Sequence, residues 1–322
     1  MRPRVNKSSS MGPDLEIKSL PPLSAGERSL LEMHSILVIL NILHGRLQLL
    51  GDQLAEDTAL FQAVIDRCAR IRSTLSEPRL CLAELKRAPA CIAEIRSALD
   101  AACATYPEAA KVEAQRRSIE SVHHTLDVFA ARAQEILERF ENPAAWGDFS
   151  VAELRADMRG VFGAIEKNSG GRYHIRHNFA LKEDGDYYLD FQIESPTGST
   201  VFIPAAFRDV IRDLLANARK YSAPGGTISA GLVEAEDRIF FSVQDGGIGI
   251  PPDQLEEVCQ FGRRGRNVST IRTMGGGYGL TKAVLLTLEF GGRFRISSQL
   301  GVGTRIRIEI PLPTDRAEAS AA

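Results

Sequence analysis

The spacing of apolar residues divides the chain into a helical part and a part of mixed structure. Between residues 26 and 141, apolar positions recur at the three- and four-residue intervals of a helix. Turn-forming residues interrupt this pattern near Gly51, Pro78, Pro107 and Pro143. The pattern predicts four helices, over residues 26–53, 56–76, 79–105 and 108–141, with an interruption of the third at Pro89.

Two of these helices show the narrow apolar stripe of a helix bundle. The stripes comprise Leu60, Val64, Ile65, Cys68 and Ile71 in the second helix, and Ile119, Val122, Leu126, Phe129, Ala133 and Ile136 in the fourth. The first helix differs, because its segment 36–43 is apolar on nearly every side. A single two-layer contact leaves part of such a helix uncovered, so we expect a homodimer formed through the bundle.

From Val151 onward, a helix is followed by shorter segments that alternate between apolar and polar residues. This alternation predicts strands over residues 187–193, 239–243 and 293–296. A second helix is predicted from Phe207, with Val210, Ile211, Leu214, Leu215 and Ala218 on its apolar side. The predicted fold is an N-terminal helical bundle followed by an α/β sandwich, in which helices pack on a mixed sheet.

Charge and cysteine content narrow the partners and the compartment. The formal net charge of the 322 residues is −2, which gives no global reason to expect nucleic acid or an anionic membrane as a partner. The five cysteines lack metal-ligand spacing, which favours reduced, mostly buried thiols in the cytoplasm. Residues 1–24 lack the apolar segment of a signal peptide, and we expect a disordered tail there. The longest apolar run, residues 36–40, is shorter than the roughly 20 residues of a membrane span.

Three polar or glycine-rich segments follow one another in the second half of the chain. They are Asp213–Tyr221, Asp245–Pro251 and Gly275–Leu280. A phosphate loop of the form Gly-x4-Gly-Lys-Ser/Thr is absent from the sequence, and the spacing is wider than the compact unit of a dinucleotide-binding fingerprint. We therefore expect a nucleotide pocket assembled from a helix, a loop and a lid.

Each segment suits one part of a nucleotide. Asp245 carries a carboxylate among glycines, so a flat base can approach it and donate an amino hydrogen. Asp213 and Asn217, four residues apart, share one face of the predicted helix and offer oxygen ligands that suit magnesium. The helix predicted over residues 280–285 offers its first backbone amides to phosphate, after a turn with Gly275, Gly277 and Gly279.

The three segments resemble the N, G1 and G2 boxes of the GHKL ATPase superfamily, and within it those of the sensor histidine kinases. Val258–Phe261, followed by arginines, resembles the F box, and Gly301–Thr304 resembles the glycine turn before the last strand. The resemblance covers residues 150–314, about half of the chain, and its specificity comes from four boxes in the right order. It implies that ATP and Mg²⁺ bind there.

The resemblance also implies roles for individual residues. Asn217 holds magnesium with help from Asp213, which stands where the family usually has asparagine. Lys220 approaches the phosphates, Tyr221 approaches the adenine, and Asp245 binds the adenine amino group. The remaining nucleotide-binding positions are Gly247, Gly249, Gly275, Gly277, Gly279, Leu280 and Thr304, together with Arg263, which lies with Arg264 and Arg266 in the segment of the ATP lid.

A second resemblance lies in the first predicted helix. His34, Gly45 and the pair Leu49–Leu50 stand at the offsets of the phosphorylated histidine, the glycine and the paired leucines of histidine kinases. This implies that His34 accepts the γ-phosphoryl group on a neutral imidazole nitrogen; the alternative is a histidine at an ordinary polar position of a bundle. The family usually carries an acidic residue next, whereas Ser35 stands here, so we expect slow autophosphorylation. The pair His123–His124 lacks the downstream pattern.

We therefore expect a cytoplasmic histidine kinase of a two-component system that passes the phosphoryl group from His34 to a separate response regulator. Its helical dimerisation and phosphoacceptor domain covers residues 25–145, its ATP-binding domain covers residues 150–314, and residues 315–322 form a tail. Two alternatives remain open. One is a degenerate ATP-binding module that acts through protein contacts, and the other is a Ser/Thr protein kinase similar to the mitochondrial dehydrogenase kinases.

Overall fold

The computed structural model describes residues 11–141, 145–168, 171–268, 276–316 and 319, without the side chains of residues 164, 167 and 168. The chain forms two compact units. The helical unit comprises residues 22–142. The sheet unit comprises residues 143–322 and also residues 1–21, which precede the helical unit in the chain.

Helices α1 to α7 build the helical unit. They are α1 (Ala25–Glu32), α2 (His34–Ala55), α3 (Gln62–Ser73), α4 (Pro78–Lys86), α5 (Ala88–Thr105), α6 (Pro107–Lys111) and α7 (Glu113–Glu141). The long helices α2 and α7 make the most extensive contact, and α3 and α5 pack beside them around one apolar core. The cysteines of this unit are free thiols, as expected, and all but the half-buried Cys103 are buried. In the described part of the chain, no single helix is long and apolar enough to cross a membrane.

Three of the predicted helices are broken. The first bends by 62° between α1 and α2. Beside this bend, the hydroxyl of Ser29 donates to the carbonyl of Leu75 at 2.7 Å and links α1 to the residues that follow α3. Pro89 lies in the first turn of α5, where backbone amides have no partner within the helix. The missing amide hydrogen of proline therefore removes no helical hydrogen bond there. Val112 is extended and separates α6 from α7. The prediction of single helices was therefore wrong for the first and the fourth, whereas the interruption predicted at Pro89 falls two residues earlier, at Arg87.

Most of the apolar surface of α2 is covered by α7 and α3 of the same chain. Its buried residues are Ile36, Ile39, Leu40, Leu43, Leu47, Leu50, Gly51 and Leu54. Val38 and Ile42 stay half-buried, Gly45 is exposed, and Leu49 keeps 55 % of its surface exposed. The chain thus covers most of the surface that led us to expect a second copy, and a narrow row of α2 remains open.

The sheet unit contains three α-helices and two sheets in its described residues. Its elements are β1 (Leu15–Ile17), β2 (Trp146–Ser150), α8 (Val151–Asn168), β3 (Ile175–Arg176), β4 (Tyr187–Glu194), β5 (Thr200–Pro204), α9 (Phe207–Tyr221), β6 (Thr227–Glu234), β7 (Arg238–Asp245), α10 (Gly279–Glu289), β8 (Arg293–Gln299) and β9 (Gly303–Pro311). The large sheet has the order β1-β8-β9-β7-β6-β4-β3, and β2 pairs with β5. The strands β3, β4 and β6 run parallel and the other pairs are antiparallel, so the predicted mixed sheet is confirmed.

One face of the large sheet is apolar and lies under the helices. Side chains directly opposite one another form a row across it, which runs through Ile193, Leu232, Phe241, Ile308 and Phe294. Helix α9 packs on β6 and β7, and α10 packs on β8 and β9. The apolar side of α9 is buried there, which leaves its polar side directed away from the sheet core.

The N-terminal segment adds an edge strand to this sheet. Ile17 of β1 lies opposite Phe294, extends the apolar row by one residue and is only 4 % exposed. Glu16 accepts a hydrogen bond from Arg295 at 3.1 Å, and Asp14 pairs with Arg307. The prediction of a disordered tail over residues 1–24 was therefore wrong for this segment. Residues 1–10, and residues 317–318 and 320–322 of the predicted C-terminal tail, lie outside the described residues.

We expect Ile17→Ala to lower the free energy of unfolding of the sheet unit by about 2–5 kcal/mol, because it empties a buried position of the sheet core. The neighbouring Lys18 is exposed, so Lys18→Ala is a matched control with a change of about 0.5 kcal/mol or less. Urea unfolding followed by circular dichroism measures both. Equal curves for the two variants would mean that β1 does not contribute to the folded sheet.

Candidate nucleotide site

The carboxylate of Asp245 lies at the end of β7 and is only 8 % exposed. Its Oδ1 atom accepts hydrogen bonds from the amides of Gly247 at 2.8 Å and Thr304 at 3.3 Å. Burial raises the pKa of Asp245 to about 6, and the two amide donors oppose that rise. The group is therefore ionised at neutral pH and can accept a hydrogen bond from an amino group of a bound base.

Two glycines after Asp245 allow the loop to pack against neighbouring backbone. A Cβ atom on Gly247 would lie 2.4 Å from the carbonyl oxygen of Tyr221. Gly249 has a φ of 68°, and a Cβ there would lie 2.1 Å from the carbonyl oxygen of Gln299. The amide of Ile248 donates to the Tyr221 carbonyl at 3.1 Å, so the loop is fixed to the end of α9.

The polar side of α9 meets the start of α10. Asp213 and Asn217 are half-buried on this side. A Cβ atom on Gly279, the first residue of α10, would lie 3.0 Å from Asn217 Nδ2 and 3.5 Å from Asp213 Cβ. The predicted magnesium ligands and the predicted phosphate-binding turn are therefore in contact.

The donors at this contact fit a magnesium ion that is shared with a nucleotide. In the described residues, no group of three or more His, Cys, Asp or Glu side chains could hold a metal ion. Asn217 and Asp213 offer two oxygen ligands, and magnesium commonly takes its other ligands from water and phosphate oxygens. The ion is thus expected to bind together with the phosphates and not in a closed protein site.

Lys220 lies one turn further along α9, in a positively charged surrounding. Burial, together with the charges of Arg264 and Arg219, lowers its pKa to about 8. Its ammonium group lies 5.0 Å above the ring of Tyr221. A phosphate beside Lys220 and Arg264 would offset their mutual repulsion.

The three arginines of the predicted lid have different surroundings. Arg263 is exposed and lies 3.7 Å from Glu257, and Arg266 is exposed and pairs with Asp253. Arg264 is the one that lies close enough to Lys220 to affect its pKa. The sequence predicts Arg263, and nothing in a run of neighbouring arginines distinguishes the one that lies near Lys220.

The other predicted positions lie around the same contacts, where the structure describes them. Gly277 has a φ of 78°, and a Cβ there would lie 2.7 Å from the Arg263 carbonyl oxygen. Leu280 packs against the apolar core, and the Thr304 hydroxyl lies 2.9 Å from that of Ser298. Gly275 lies outside the described residues.

The predicted phosphoacceptor belongs to the helical unit. His34 is the first residue of α2 and is half-buried, as is Ser35. The carboxylate of Glu32, the nearest acidic residue before it, pairs with Arg139 at 2.8 Å. His123 is half-buried and His124 is exposed on α7.

Residues 203–314, which contain α9, the Asp245 loop and α10, match the family described as histidine kinase-, DNA gyrase B- and HSP90-like ATPases. These matched residues of the sheet unit form a domain of this ATPase family. The histidine kinase-like ATPase domain therefore contains every residue of the predicted nucleotide site. His34 lies outside the matched residues.

Curated relatives of the chain are sensor kinases. Its alignment with the sensor histidine kinase RppB of Synechocystis sp. is 34 % identical over 103 residues. This alignment covers 32 % of this chain and 23 % of that protein. Its alignment with the adaptive-response sensory kinase SasA of Synechococcus elongatus is 35 % identical over 111 residues. This alignment covers 34 % of this chain and 28 % of that protein. The chain thus spans about a quarter of the length of these relatives. Among solved structures, the mycobacterial sensor histidine kinase MprB aligns with 52 % of this chain and 97 % of its own, at 20 % identity and a TM-score of 0.36.

We expect Asp245→Asn to weaken adenosine binding by ~1.5–3 kcal/mol, the usual contribution of a hydrogen bond to a charged group. Because the pKa of Asp245 is raised to about 6, wild-type affinity should fall between pH 7.5 and pH 5 as the carboxylate is protonated. Adenosine is the suitable ligand for calorimetry because it carries no titrating phosphate. Unchanged affinity in the variant, or a flat wild-type profile, would count against Asp245 as the base-binding group.

The same substitution should not unfold the protein. A carboxyl group whose pKa is raised from 3.8 to about 6 in the folded state stabilises the fold below pH ~4, and this contribution is lost as the pH rises through about 6. At pH 7.5 the ionised Asp245 is therefore unfavourable, and Asp245→Asn is expected to have an equal or higher free energy of unfolding. A less stable variant at pH 7.5 would contradict this expectation.

Proposed function

We propose that this chain is a histidine kinase of a two-component system, which binds Mg-ATP in the sheet unit and transfers the γ-phosphoryl group to His34. The observation that carries the proposal is the contact between the Asp213–Asn217 pair and Gly279 at the start of α10, beside the loop that buries Asp245. Its place in a histidine kinase-like ATPase domain supports ATP as the ligand. Sensor kinases among the relatives support His as the acceptor.

Each residue of the proposed site binds a different part of Mg-ATP. Asp245 accepts the hydrogen bond of the adenine amino group, and Lys220 with Arg264 faces the phosphates. Asn217 and Asp213 hold magnesium, which when bound offsets the negative charge of the phosphate oxygens.

The transfer itself needs one nucleophile. A neutral nitrogen of His34 attacks the γ-phosphorus, the bond to the β–γ bridging oxygen breaks, and ADP leaves. The histidine proton passes to solvent, because Ser35 has no carboxylate and Glu32 is paired with Arg139. The phosphoramidate then passes its phosphoryl group to an aspartate of a separate response regulator in the cytoplasm.

The surroundings of His34, with Ser35 beside it and Glu32 paired with Arg139, favour a second candidate function. Without an acidic group beside His34, the chain would act as a degenerate module in which bound ATP alters contacts with a protein partner. In that case ATP binds but no phosphoryl group is transferred.

Incubation with γ-labelled ATP separates these functions. We expect slow labelling that is lost in acid and kept in base, as for phosphohistidine. His34→Gln should abolish the label, whereas His124→Gln, which changes an exposed histidine of α7, should leave it intact. Ser35→Glu should raise the rate, by up to ~10²–10⁴ if the missing base limits it. Acid-stable label would indicate a Ser/Thr kinase, and ATP binding without label would indicate the degenerate module.

We further propose that two copies associate through the open row of α2. Residues 34, 38, 42, 45 and 49 lie on one side of that helix, since each residue turns it by about 100°. Val38, Ile42 and Leu49 give this side apolar surface, and no atom lies within 4 Å of a Cβ built on Gly45. Another helix can therefore approach closely there.

Leu49→Glu should shift the protein from dimer to monomer in light scattering, because it places a charge in the proposed contact. Leu80 on α4 is 58 % exposed, close to the 55 % of Leu49, so Leu80→Glu is a matched control that should remain dimeric. A monomeric wild-type protein, or equal dissociation of both variants, would mean that the open row of α2 is not the dimer contact.

A further inference from the structure

Lys282 is a buried cation at an unexpected place. It is the fourth residue of α10 and only 7 % exposed, and the next residues, Ala283 and Val284, are fully buried. A positive charge in the first turn of a helix is disfavoured by the helix dipole, and burial of its ammonium group removes water. Packing alone would be served better by an apolar side chain, so the position of this charge requires another explanation.

The partners of Lys282 lie on α9. Its Nζ atom is 3.0 Å from Oδ2 of Asp209, and the Oδ1 atom of Asp209 accepts from Arg212 at 3.1 Å. All three side chains are largely shielded from water, with exposures of 9, 15 and 13 %. Screening is therefore weaker than for a surface ion pair, and the geometry of the three groups is well defined.

These three side chains lie one contact layer from the nucleotide site. Gly279 at the start of α10 faces Asn217 and Asp213. Three residues further along α10, Lys282 faces Asp209, which lies one turn before Asp213 on α9. The two helices thus run in opposite directions across the contact, and the charged group joins them directly beside the candidate magnesium ligands.

We propose that Lys282, Asp209 and Arg212 form a brace that sets the distance and register between the magnesium ligands of α9 and the phosphate-binding amides of α10. Lys282 is then a positioning residue for the magnesium–triphosphate part of the ligand, and the proposal rests on the ATP site proposed above. Apolar contacts allow two helices to slide, whereas a directional charge pair fixes their register. The brace also contributes two positive charges and one negative charge next to an anionic ligand, which favours the bound phosphates.

Calorimetry with two ligands tests the brace on the full chain. Lys282→Met keeps a long unbranched side chain but removes the charge. It should weaken binding of a non-hydrolysable ATP analogue with Mg²⁺ by about tenfold, and leave adenosine affinity within about twofold because the base contacts Asp245. Lys282→Arg should restore most of the affinity for the magnesium-bound analogue, since it restores the charge. Arg208→Met is the matched control, because it removes a charge from the same helix, α9, and breaks the 2.5 Å pair of Arg208 with Asp157 of α8. It should change neither affinity.

A second variant guards against misfolding of the first. Asp209→Asn should reproduce the selective loss, and Asp209→Asn combined with Lys282→Met should lose no more than the larger single effect, as for two members of one interaction. An equal loss of both ligands, or an unchanged affinity for the magnesium-bound analogue, overturns the brace. A wild-type protein that binds neither ligand overturns the ATP site, and the brace with it.

Discussion

The buried carboxylate of Asp245 joins two segments that are far apart in sequence. It receives the amide of Gly247 from the loop that follows β7 and the amide of Thr304 from β9. Glycine is required around it, because a Cβ on Gly303 would lie 2.0 Å from the Asp245 carbonyl oxygen. The group proposed to recognise the base is thus also a structural group. To separate base recognition from this structural role, a substitution must keep the shape of the side chain and the Oδ1 atom that accepts the two amides, as Asp245→Asn does.

Helix α9 links the core of the sheet unit to the proposed chemistry. Its apolar side is buried against β6 and β7, so packing of the core determines where its polar side lies. That polar side carries, one turn after another, Asp209, Asp213, Asn217 and Lys220. Asp209 belongs to the proposed brace between α9 and α10. Asp213 and Asn217 belong to the proposed magnesium site, and Lys220 to the proposed phosphate site. A shift of the helix by one residue would displace all of them together.

Features that repeat over many residues were predictable from the sequence, and features that depend on one tertiary contact were not. The long alternation of β7 and β9 and the two-sided pattern of α9 identified these elements, and the order of the polar segments identified Asp245 and Asn217 as candidates. The bend at Met33 has no Gly or Pro beside it in the sequence, and the contact of Ser29 with Leu75 that accompanies it joins residues 46 positions apart. The strand β1 is too short to show alternation. Likewise, only the folded chain brings Arg264 to Lys220.

The edge strand β1 makes the sheet unit discontinuous in sequence, because the helical unit is inserted between β1 and the rest of the sheet. A fragment that begins at residue 143 would lack Ile17 and expose the backbone edge of β8, which invites pairing with other chains. A circular permutant that joins residue 322 to residue 1 and begins near residue 143 would keep every strand of the sheet in one continuous segment. The helical unit, for its part, is connected to the same folded body at both ends, so any reorientation of it must be absorbed by two connections in place of one.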